Sequence, residues 1–126
     1  MLDRNGVMTI LETCFWDEIE EFVTEVVDEF SADELGMLFT EYLVDYARLD
    51  EIDELDATDI EVQEEDETEM ISGEIRLSAF VNGYAYWDGE EQYLGTEEAG
   101  MSFWFQFEME QGKVISGIEL KEHIFI

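Results

Sequence analysis

Ile71-Ser-Gly-Glu-Ile-Arg-Leu-Ser-Ala-Phe-Val81 alternates with a period of two. Ile71, Gly73, Ile75, Leu77, Ala79 and Val81 fall on one face, while Ser72, Glu74, Arg76 and Ser78 lie on the other. Such alternation is the pattern of a half-buried strand, because successive side chains point to opposite sides of a sheet. Ala85 and Trp87 continue the apolar face beyond Asn82-Gly83. An Asn-Gly pair favours a two-residue hairpin turn, and a hairpin is the expectation here. The unbroken alternation also suits one long strand with a glycine bulge.

Working outward, Met101–Met109 sets Phe103, Phe105 and Phe107 on one face of a further strand. Gln111-Gly112 closes a hairpin into a strand carrying Val114, Ile118 and Leu120, and Ile124-Phe125-Ile126 makes an apolar end. Upstream, Glu64–Glu69 reads as an acidic turn and Asp59–Gln63 as a short strand. Asp50–Asp59 is either a fraying helical extension or a loop.

Earlier still, the period becomes helical. Thr9-Ile-Leu-Glu12 has capping-box spacing, and Leu11, Phe15, Ile19, Phe22, Val26 and Phe30 recur every three or four residues. Ser31-Ala-Asp-Glu34 is a second capping box, so one helix is expected to end near Phe30. A second is expected from Ala32 to Leu49, with Leu35, Leu38, Phe39, Tyr42, Leu43, Tyr46 and Leu49 as its stripe. The whole is α+β: two N-terminal amphipathic helices packed on a C-terminal antiparallel sheet of four or five strands. It forms one domain over 1–126, with an acidic helical half (1–58) and a β half (59–126).

The 126 residues carry 35 Asp and Glu against 5 Lys and Arg, a net charge of -30. Residues 12–69 hold 24 of the acids and a single cation, Arg48. High charge alone suggests disorder, but 46% hydrophobic and 13% aromatic residues supply a core. Contacts to phosphates need a basic surface, so direct nucleic-acid binding is excluded as a function, and an anionic membrane would repel the chain. No apolar run has the ~18 residues of a spanning helix, and no stretch reads as a signal peptide. The single Cys14 excludes an internal disulfide, and a cytoplasmic life is the simple expectation.

No catalytic signature stands out. Carboxylate pairs occur everywhere and none is singled out for acid–base work. Asp50, Asp53, Asp56 and Asp59 recur every three residues, but the glycine and glutamate of a calcium loop are missing, and a diffuse cation cloud is the expectation. No cofactor is expected. Cys14, among Glu12, Asp17 and Glu18, reads as core or boundary packing, and His123 as a surface histidine. Trp16, Trp87, Trp104, Tyr84, Tyr86 and Tyr93 are either exposed anchors for a partner or a second small core.

The acid itself is the strongest clue. Asp17, Glu21, Glu25 and Glu29 repeat every four residues, flanked by Glu18, Glu20 and Asp28. Like charges at this spacing destabilise an isolated helix by about 0.2–0.5 kcal/mol per pair. Solubility needs a net charge of only about 2–8. In size and charge the chain resembles the small acidic nucleic-acid mimics of phages and mobile elements, anti-restriction and anti-CRISPR proteins among them. The likeness extends over the whole chain and rests on no diagnostic motif. It implies a non-enzymatic inhibitor in the bacterial cytoplasm whose partner is a basic nucleic-acid-binding protein or complex. The expected contact residues are Asp17, Glu18, Glu21, Glu25, Asp28 and Glu29, then Asp50, Asp53 and Asp56, with Trp16 as an apolar anchor. An immunity protein against a basic toxin is the alternative, and a small-molecule or enzymatic helix-plus-sheet domain the second. A pocket lined by Trp87, Tyr86 and Phe105 would mark that second alternative. Acidity as mere solvation in a salt-loving organism fits less well with Glu outnumbering Asp. A homodimer joined through a sheet edge is a further expectation.

Overall fold

The computed structural model describes residues 3–125. Within them the chain forms α1 (Arg4–Cys14), α2 (Trp16–Asp28), α3 (Ala32–Leu38), β1 (Tyr46–Glu65), β2 (Thr68–Trp87), β3 (Glu90–Glu110), β4 (Lys113–Val114) and β5 (Glu119–Phe125). The class is α+β, with the helices N-terminal and the sheet antiparallel.

The first expected helix is in fact two. Asp3 caps α1, its Oδ1 accepting from the Gly6 amide at 2.8 Å, so the helix begins before the Thr9 box. The Thr9 and Thr13 hydroxyls instead donate to the carbonyls of Asn5 and Thr9, four residues back, a contact that bends helices. The break falls at Phe15, with φ -124° and ψ 11°. Leu11, Phe15 and Ile19 are all buried across it, because a one-residue kink leaves the apolar stripe in step.

The Ser31–Glu34 capping box forms in full. Its helix, however, stops at Leu38 rather than Leu49, and β1 begins at Tyr46. The boundary between helical and strand parts therefore lies before residue 46, not at 58. Tyr42, Tyr46 and Leu49 match the helical period, but tertiary pairing decides their conformation. Tyr46 stacks on Tyr84 with centroids 5.4 Å apart, and the Asp45 amide donates to the Tyr84 carbonyl at 2.8 Å. Asp50–Asp59, expected as an extension or loop, is the middle of β1.

The strand order is β1-β2-β3-β4, with β5 also on β3. β2 runs unbroken through Asn82-Gly83, so the expected hairpin there is corrected to one long strand with a register shift between Gly83 and Tyr84. The turns lie elsewhere. Asp66 precedes Thr68, Asp88-Gly89 joins Trp87 to Glu90, and Gln111-Gly112 joins Glu110 to Lys113. Asp88, Gly89, Gln111 and Gly112 have φ between 49° and 79°, as tight two-residue hairpins require. Beyond the third, the strand expected to carry Val114, Ile118 and Leu120 is two: β4 ends at Val114 and β5 starts at Glu119.

The helices cover the phenylalanine face of the sheet. Phe15 meets Phe107 at 5.1 Å, Phe22 meets Phe103 at 4.7 Å, and Phe30 meets Phe125 at 5.1 Å. Val7, Leu11, Ile19, Val23 and Val27 are fully buried against Ile71, Ile75, Ala79, Val81, Met101 and Phe105. This core fixes which faces of α2 and β1 remain for solvent.

Candidate functional site: the acidic surface

Burial of Ile19, Val23, Val26 and Val27 turns the opposite face of α2 outward. Asp17, Glu18, Glu21, Glu25, Asp28 and Glu29 are all exposed there. Asp17 and Glu18 sit in the first turn, where the helix dipole favours negative charge. Glu25, Asp28 and Glu29 crowd the C-terminal end, where it opposes them, and the last turn holds no basic residue. Trp16 opens the helix half-buried.

α2 lies against β1, which is an edge strand of the sheet. The register of β1 against β2 shifts between Leu49 and Glu51, between Ile52 and Glu54, and between Thr58 and Glu61. Asp50 and Asp53 are the extra residues at the first two shifts, and both are exposed. Asp59, at the third, has φ 53°. Three of the four aspartates in the three-residue repeat thus sit at bulges, and Asp56 pairs in register with Arg76. Over an extended strand, Asp50 and Asp59 stand roughly 30 Å apart, too far to share one ion. Among the described residues no group of three His, Cys, Asp or Glu side chains is gathered for a metal.

Asp56 differs from its neighbours. It is half-buried and pairs with Arg4 Nη2, while Arg4 Nε donates to the Ala57 carbonyl at 3.0 Å. That pair ties the start of α1 to β1. Other cations are engaged too. Arg48 Nη2 lies 3.6 Å from Glu91, Arg76 Nη2 3.8 Å from Glu74, and Lys121 Nζ 4.7 Å from the Trp104 ring centroid.

The register also brings together carboxylates that the sequence did not single out. Glu51, Glu54 and Glu61 of β1 stand opposite Phe80, Ser78 and Ser72 on the outer face of the sheet. A strict period of two would set Glu54 on the opposite face from Glu51 and Glu61; the bulges bring all three to one face. At one end of that face Tyr46, Tyr84, Tyr86 and Tyr93 form a row. Burial pushes the Tyr46 phenol well above its ordinary value, and Glu91 and Tyr86 beside it push the same way.

Cys14 is exposed, which corrects the expectation of core or boundary packing. His123 is exposed as expected, 5.9 Å from the Phe125 ring. Trp104 is half-buried beneath Lys121, whereas Trp87 stands 73% exposed by the Asp88-Gly89 turn. Phe105 is fully buried under the helices, so it shares no wall with the exposed Tyr86 and Trp87. An open concavity of about 1040 Å³ lies along the third bulge of β1, between Arg4, Thr58, Asp59, Glu64 and Glu69. Among the described residues no helix is long and apolar enough to cross a membrane. Comparison with protein-family models, curated proteins and solved structures finds no match to this chain.

Proposed function

We propose that the protein is a non-enzymatic inhibitor whose acidic surface imitates a nucleic-acid backbone and occupies the basic groove of a nucleic-acid-handling protein. The observation that carries this reading is the solvent face of α2, where six carboxylates are exposed without an intervening cation. An i,i+4 step rises about 6 Å along a helix. Phosphates of one duplex strand are spaced about 3.4 Å along the axis, so this ladder roughly matches every second one. The charge on β1 has a second use as edge protection. On α2 the carboxylates of Glu25, Asp28 and Glu29 are held at the C-terminal end against the helix dipole. Steering by so large a field accelerates association with a cationic groove and weakens with salt. The bacterial cytoplasm, home of such basic partners, is the proposed location.

The test reverses the face. The immobilised protein is exposed to native bacterial lysate, eluted with a salt step, and challenged with added DNA or RNA. A nucleic-acid-handling complex that added nucleic acid displaces is the expected outcome. The triple variant Glu21→Lys, Glu25→Lys, Asp28→Lys should lose that capture. Its melting temperature should hold or rise, because each relieved like-charge pair returns about 0.2–0.5 kcal/mol. Unchanged capture by the variant sinks the assignment. Elution of a lone basic toxin, indifferent to nucleic acid, favours an immunity role instead.

A further inference from the structure

The outer face of the sheet ends in a paved row. Ring centroids are 5.5 Å apart between Tyr86 and Tyr46, 5.4 Å between Tyr46 and Tyr84, and 5.9 Å between Tyr84 and Tyr93. The register dictates this, since Tyr46 pairs with Tyr84 and Tyr84 with Tyr93. The two outermost rings are open to solvent, Tyr86 being 60% and Tyr93 59% exposed. The row is already charged with one cation of the chain itself. The Arg48 guanidinium lies 5.3 Å from the Tyr46 centroid and 5.6 Å from that of Tyr84. Its Nη2 reaches the Glu91 carboxylate at 3.6 Å.

Arg48 therefore displays what the row accepts: a planar cation over an aromatic face, with a carboxylate at its edge. Exposed Asp45 lies beside Tyr86, whose amide donates to its Oδ2, and exposed Glu91 stands opposite Tyr86 and on the same face as Tyr93. We propose that Tyr86 and Tyr93 receive arginine side chains of the basic partner, each guanidinium stacking on a ring against these carboxylates. This rests on the acidic-surface reading and adds chemical selectivity to it. A field of carboxylates attracts lysine and arginine alike. A tyrosine face prefers guanidinium, which is planar, less strongly hydrated and able to stack.

Two synthetic peptides of equal length and charge serve as probes, one alternating arginine with glycine, the other lysine with glycine. Affinity is measured by calorimetry at low and at physiological salt. The wild-type protein should favour the arginine peptide by roughly two- to five-fold per engaged ring. Tyr86→Ala with Tyr93→Ala should bring the ratio close to one while both peptides still bind in a salt-dependent way. Tyr86→Phe with Tyr93→Phe should keep the preference, since the ring face survives. Equal binding of the two peptides by wild type, or a preference that persists in the alanine variant, overturns the proposal and leaves the acidic-surface reading intact. Absence of binding by either peptide at low salt overturns both.

Discussion

A Cβ added at Gly83 would lie 2.8 Å from Phe39 Cε1 and 3.0 Å from Val44 Cγ2. Phe39 is 2% exposed and packs where β2 passes under the segment that leaves α3. The glycine that looked like half of a turn signal is thus a packing residue. Nothing in an Asn-Gly dipeptide distinguishes a turn from a close approach, because the cause lies forty-odd residues away. Gly83→Ala should destabilise the fold by about 1–3 kcal/mol, the usual range for overpacking, read as a fall in denaturation midpoint. Gly36, exposed on α3 with nothing near its missing side chain, is the control. Gly36→Ala should stabilise by about 0.5–1 kcal/mol. Equal effects at the two positions would refute the packing argument.

At the scale of elements, β1 is the instructive one. A twenty-residue edge strand presents a long row of unpaired amides and carbonyls, an invitation to a second sheet. Register shifts at Asp50, Asp53 and Asp59 break that row, and carboxylates line it. A homodimer seam through this edge would have to overcome both. Replacing Asp50 and Asp53 with Asn and Glu51 and Glu54 with Gln should therefore promote concentration-dependent association, seen by sedimentation velocity. Sedimentation identical to wild type at every concentration would show that the bulges suffice alone. The same strand marks where the sequence became illegible. Its bulges add three residues, so the period-two signal lapses and Asp50–Asp59 resembles loop or frayed helix. The helices were easier to read, since a 3.6-residue stripe survives the kink at Phe15. For the same reason the stripe could not reveal that kink.

For the whole molecule, two clear periodicities were enough to specify α+β layering and which faces meet. They could not say where helix yields to strand between Phe39 and Tyr46, a choice made by Tyr84 and Asp45 across the sheet. The candidate surface was legible as charge on α2, because exposure there follows directly from the buried stripe. The tyrosine row was not, because it is assembled from three strands in register. The net charge of -30 must also strain the folded chain as a unit. Added KCl screens exposed charges over about 10 Å at 0.1 M, so the melting temperature should climb from low to moderate salt. Each kcal/mol of repulsion removed is worth roughly 3–6 °C. A melting temperature that fell over this interval would mean that attractive pairs, not repulsion, dominate the surface.

The contact of Phe15 with Phe107 has a further consequence, one of timing. During synthesis α1 and α2 leave the ribosome well before β3, the wall against which they pack. At ~5–20 residues per second, the apolar stripes wait roughly 5–20 s for β3. Through that interval the nascent chain is a pair of sticky helices with nowhere to dock. The carboxylates on the reverse side of α2 face solvent through that interval, and their like charge opposes association between neighbouring nascent chains.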